Sequence, residues 1–153
     1  MEMVDKIERR VAYLNYLGVS LNINDFWSRF RVQKAIFLAE SLTSSNASGF
    51  SLYAHGPYSP ELTREYYAES EKFKTGVSTY LLSDEEKLKL DKIKDSIKDL
   101  STNKLEAFAT AVYLIKGRCE IKELANQIKI IKPFLTSEDI LIGVNMSETL
   151  FKN

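Results

Sequence analysis

The sequence predicts a mainly α protein: a single compact helical domain, residues 1–153, of about six to seven helices with a small β-hairpin. Three observations carry this reading. Apolar residues recur at three- and four-residue spacing along most of the chain, and capping residues and glycines sit where those runs begin and end. Two short stretches, "FSLYA" (50–54) and "GVSTYLL" (76–82), are instead rich in residues that suit strands, and they are expected to pair antiparallel.

In the first helix, 3–17, Val4, Ile7, Val11, Leu14 and Leu17 form one stripe, and Gly18 follows at the position of a left-handed cap. A second helix begins at Asn24 or Asp25, either able to cap it, and turns Phe26, Phe30 and Phe37 inward. The polar run "TSSNASG" (43–49) reads as a loop. "LYAHGPYSPELTREYY" (52–67) is a strand-to-helix corner, in which Gly56 gives backbone freedom before Pro57, and Ser59 and Pro60 are the N-cap and first position of the next helix. Leu62, Tyr66 and Phe73 continue inward from there. "SDEE" at 83–86 is a capping box opening a charged helix with Leu88, Leu90, Ile93, Ile97 and Leu100 on its apolar face. "NKLEAFATAVYLIK" (103–116) reads as the central core helix, ended by Gly117. "EIKELANQIKI" (120–130) is a short helix, Pro133 breaks the chain, and Thr136 or Ser137 caps the last helix.

Composition narrows the function classes. A chain of 153 residues buries roughly two-thirds of the surface its unfolded form exposes, enough to fold without metal or disulfide. Lys and Arg total 21, equal to Asp and Glu, so no global basic field attracts nucleic acid or anionic lipid. The amphipathic, acid-containing N-terminus reads as neither signal peptide nor membrane anchor. One cysteine, Cys119, excludes an intrachain disulfide and fits the cytoplasm, and one histidine with one cysteine excludes ordinary structural zinc sites. No cofactor or metal is expected.

The 52–67 corner holds the single histidine, His55, and four of the eight tyrosines, so it is the candidate functional segment. One reading is an anion site, with free N–H groups at the helix start, His55 beside them, and Arg31 and Lys34 adding charge from a shared face of the second helix. Catalysis lacks a positioned partner for His55, since no nucleophile–base order or phosphate loop is present. Gln33 or Lys34 is expected to bond backbone groups of residues 54–59, with Arg31 partly exposed and available to a partner. The segment 103–132 can also be folded as helix, glycine turn, helix, with Lys122, Lys129 and Lys132 near the second helix; a nucleic-acid-binding regulator is thus the alternative function, opposed by the neutral charge and by Glu120 and Glu123 at the helix start.

Two motifs together, "RVQKAIFLAE" (31–40) and "YAHGPYSPEL" (53–62), resemble the Panacea domain of SocA-like antitoxins and the similar YwgA-like proteins. "LEAFATAVYL" (105–114) and "IKPFLTSEDI" (131–140) are similar to that family's later helices. The resemblance implies a mostly helical domain that neutralises toxins by direct protein contact, without chemistry of its own. Gln33, Lys34, Gly56, Pro57, Tyr58 and Ser59 match the motif positions. The functional expectation is therefore a non-enzymatic, cytoplasmic protein-interaction module, antitoxin-like or an adaptor, with Arg31, Gln33, Lys34, His55, Gly56, Pro57, Tyr58, Ser59 and Tyr66 as its motif or partner-binding residues.

Overall fold

Local capping chemistry sets most of the element boundaries in the computed structural model, which describes residues 3–43 and 49–151, with side chains from residue 5 onward. The order is α1 (Met3–Leu17), α2 (Phe26–Leu42), β1 (Ser51–Tyr53), β2 (Gly56–Tyr58), α3 (Pro60–Ala68), α4 (Ser70–Thr75), α5 (Asp84–Asp99), α6 (Thr102–Lys116), a 3-10 turn (Ile121–Glu123), α7 (Leu124–Ile131) and α8 (Ser137–Leu150). The protein is mainly α with a small hairpin, and has eight α-helices among the described residues. The eighth comes from a break at Glu69, which separates α3 from α4.

Asp25 caps α2 through Trp27 N, Ser59 caps α3 through Leu62 N, Thr136 caps α8, and Ser83 with Glu86 completes the capping box of α5. Gly18 ends α1 with φ 76°. Helix α6 stops at Lys116, but Gly117 has φ −83° and the left-handed position falls one residue later, on Arg118 at φ 70°. The loop expected at 43–49 lies largely outside the described residues, as does the side chain of Val4.

The hairpin differs from the expected pairing. β1 pairs antiparallel with β2, with Ser51 opposite Tyr58, Leu52 opposite Pro57 and Tyr53 opposite Gly56. Residues 76–82 form no strand; they run as coil along α1, where Ser78 Oγ donates to Glu8 O and Thr79 N to Glu8 Oε1. Proline argues against a strand because it lacks the donor N–H, yet a two-stranded ribbon leaves one edge of each strand unpaired and so accommodates Pro57.

Helix α6 is the central element. Leu105, Phe108, Ala109 and Val112 face the larger core built from α1, α2 and α5, while Ala107 and Ala111 face a second cluster with Leu124, Ile128, Leu135, Ile140 and Val144. Gly143 lets α8 lie against α6: a Cβ there would sit 2.7 Å from Ala107 C and Phe108 N. Two inward assignments are corrected. Leu88 is exposed because it stands two residues from Leu90, on the opposite side of α5, and Phe26 is exposed at the first position of α2, beyond the core.

A buried ion cluster holds α1, α2 and α3 together. Arg10 is bidentate to Glu40 (Nε–Oε2 2.8 Å, Nη2–Oε1 3.0 Å) and reaches Glu65 at 2.7 Å, and Arg9 adds a 2.7 Å bond to Glu40. Planar guanidinium against carboxylate fixes orientation as well as distance, so this cluster sets the angle between the two helices, α2 and α3, that frame the corner.

Candidate functional site: an aromatic pocket at the hairpin corner

Two consecutive side chains of α2 hold the corner by its backbone. Gln33 clamps Ser59 from both sides, Nε2 donating to Ser59 O at 3.0 Å and Oε1 accepting from Ser59 N at 2.8 Å. Lys34 Nζ donates to Pro57 O at 2.9 Å. Neighbouring helical residues point about 100° apart, so the corner must wrap around α2 for both to reach it. On the other side of the turn, Lys132 Nζ donates to Tyr53 O at 2.6 Å and Ala54 O at 2.7 Å. The turn has its positive φ on Gly56, at 91°, where a Cβ would meet Thr110 Oγ1 at 3.2 Å and Lys34 Cε at 3.3 Å.

These ties leave a cavity of about 300 Å³ between the N-terminal half of α2, the hairpin turn and α3. Phe26, Tyr53 and Tyr67 stand at its mouth, 43%, 49% and 56% exposed. Phe30 and Tyr66 form its buried wall. The Tyr58 and Tyr66 hydroxyls are joined through Thr63 Oγ1, at 2.5 and 3.3 Å, and Gln33 Nε2 donates to that same oxygen at 2.9 Å. His55 lies edge-on to Phe26, Trp27 and Phe30, with ring centroids 5.2, 6.0 and 6.2 Å away. Its Nδ1 is 3.7 Å from Glu106 Oε1.

Lys34 belongs to the floor, 4.6 Å above the Phe30 ring, and is almost fully buried. Burial pulls its ammonium down to about 7; Glu106 opposes this shift and Lys132 adds to it. Burial also pushes the Glu106 carboxyl up, against the pull of Lys132, His55 and Lys34. Glu106 Oε2 lies 3.5 Å from Lys132 Nζ. Neither that oxygen nor Thr110 Oγ1 has a hydrogen-bond partner among the described residues.

The candidate residues therefore separate into groups. Gln33, Lys34, Gly56, Pro57, Tyr58 and Ser59 come together at the corner, with His55 and Tyr66 on the pocket. Ser59 is wholly buried and its hydroxyl is spent as the cap of α3, so that helix start offers no open anion site. Arg31 does not share the task of Lys34. Its guanidinium donates to Ile97 O and, at 3.3 Å, Leu100 O, closing the C-terminal end of α5, so it is not left free for a partner. Tyr66 is core, 2% exposed, rather than an exposed contact. In the 103–132 segment, Lys132 is buried under the hairpin, and Lys129, though exposed, donates to Pro133 O and Leu135 O, so two of its three lysines are engaged by backbone carbonyls. Glu106 and Thr110, missed from the sequence, did leave a signal: two polar residues four apart inside "LEAFATAVYL" share a helix face.

Among the described residues no group of three His, Cys, Asp or Glu side chains is placed to hold a metal ion, and no helix is long and apolar enough to cross a membrane. In comparisons with known proteins, no family model matches the chain, and neither a curated protein nor a solved structure matches it.

Proposed function

We propose that this chain is a non-enzymatic protein-interaction module that grips its partner at the aromatic pocket of the 52–67 corner. The observation that carries this is the pocket mouth, where Phe26, Tyr53 and Tyr67 remain exposed around a concave site. Large exposed aromatics supply rigid contact area at little entropic cost and are enriched at interfaces. The resemblance of "RVQKAIFLAE" and "YAHGPYSPEL" to Panacea domains supports the same reading and suggests its biological form: an antitoxin-like protein that neutralises a toxin, or an adaptor, acting in the cytoplasm by direct binding. Purification of the tagged chain from its native host, beside a Phe26→Ala/Tyr67→Ala variant, tests this. A specific protein retained by the parent and lost by the variant supports the reading. Retention of the same protein by both would remove the pocket from it.

A further inference from the structure

The pocket has a charge that its aromatic lining does not explain. No Asp or Glu lines it, yet two cations do: Lys34 at the floor and half-buried Arg29 at the side. Arg29 donates to Ile23 O at 2.7 Å, and its guanidinium lies 5.9 Å over the Phe26 ring. A lysine ammonium has three N–H donors, and among the described residues Pro57 O is the one acceptor for Lys34. Glu106, the carboxylate nearest in charge to Lys34, is already paired with Lys132 at 3.5 Å. The floor is thus a desolvated ammonium with donors to spare, whose acidic neighbour, Glu106, is shared with Lys132 and His55.

We infer that the pocket takes a carboxylate carried on an aromatic body, the acid meeting the Lys34 ammonium and the ring lying among Phe26, Phe30 and Tyr67. This rests on the binding-module reading and names the group that the module's pocket receives. A cavity of about 300 Å³ is at the small end of ligand sites, so it suits one ring and a short acid arm rather than a cofactor. The group could come from a small acid or from a partner chain ending in an aromatic residue; both present the same chemistry. Lys34 is held down to about 7 by burial, among Glu106 on α6, Lys132 beyond α7, His55 on the turn and Arg29 earlier on α2. A bound carboxylate raises it, so at pH 8 binding takes a proton from solution.

Calorimetry with 3-phenylpropionate and 3-phenylpropan-1-ol, at pH 8 in two buffers of different ionisation enthalpy, tests this on the unaltered protein. The acid is expected to bind roughly tenfold or more tighter than the alcohol, the worth of one charge-assisted hydrogen bond, and with proton uptake. In Lys34→Met, confirmed as folded by its melt, that preference disappears, read as the ratio of acid to alcohol affinity within the variant. Gly-Gly-Phe with a free or an amidated terminus identifies the source: preference for the free peptide assigns the acid to a partner chain, and binding of 3-phenylpropionate alone assigns it to a small molecule. Equal binding of acid and alcohol to the parent, or acid binding without proton uptake, overturns the inference. Partner capture that persists alongside such a result would leave the interaction reading standing.

Discussion

Gly56 and Ser59 do different work in the same corner, and single substitutions separate them. A side chain at residue 56 would meet both an unfavourable φ of 91° and close contact with Thr110 and Lys34, so Gly56→Val is expected to cost at least about 1–3 kcal/mol. Ser59→Ala removes a buried cap and should cost about 1 kcal/mol. His55→Ala, at a half-exposed ring, should cost least. Thermal melts showing the order 56, 59, 55 check this, and equal melts contradict it. Lys34 adds a pH signature. Its folded value near 7 lies below the 10.5 of an unperturbed lysine, so between those values the unfolded chain binds more protons and stability rises with pH. The stability lost in Lys34→Met is therefore expected to grow between pH 7 and pH 10, as read by denaturant unfolding at each pH; a flat difference contradicts the buried cation. The roles of Gln33 and Lys34 were legible as polar residues in an apolar helix. That of Arg31 was not, because its carbonyl partners Ile97 and Leu100 lie 66 and 69 positions away.

At the scale of elements, boundaries were legible wherever a local device makes them: the capping box at Ser83, the cap at Ser59 and the stop at Gly18 act within four residues. Strand pairing was not, since the strand-like 76–82 segment is claimed by α1 through Glu8, a contact of 70 positions that no local pattern encodes. That contact predicts acid behaviour. Lys72, then the backbone of Thr79, hold the Glu8 carboxyl down to about 2, from 4.5. Its stabilising contribution is complete above 4.5 and is lost as pH falls toward 2. Glu8→Gln should therefore lower stability at pH 6 and lose less than the parent on acidification, checked by unfolding at pH 6 and pH 3; parallel loss in both would show that Glu8 is not the group responsible. The α6–α8 contact gives a second prediction. Gly143→Ala pushes a methyl into the backbone of α6 and should cost roughly 1–3 kcal/mol, whereas an exposed mid-helix Gly→Ala normally stabilises. A higher melting temperature for Gly143→Ala would contradict the close approach.

For the whole molecule, one feature of the design is a stable frame around an unsatisfied site. The Arg10–Glu40 cluster and the two-sided core fix α2, α3 and α6, and the hairpin is held to them by Gln33, Lys34 and Lys132. The pocket between them keeps aromatic rings in water and a lysine out of it. The corner was legible as a place from its histidine, prolines and tyrosines, but the pocket was not, because Phe26, Lys34, Tyr53 and Tyr67 meet only once α2, the hairpin and α3 are assembled. The most direct measurement is the dissociation constant of the captured partner for the parent and for Phe26→Ala/Tyr67→Ala, both confirmed as folded by their melts. Loss of two exposed aromatic anchors should weaken binding at least roughly thirtyfold, about 2 kcal/mol. An unchanged dissociation constant in a folded double variant would contradict the assignment of this pocket as the binding site.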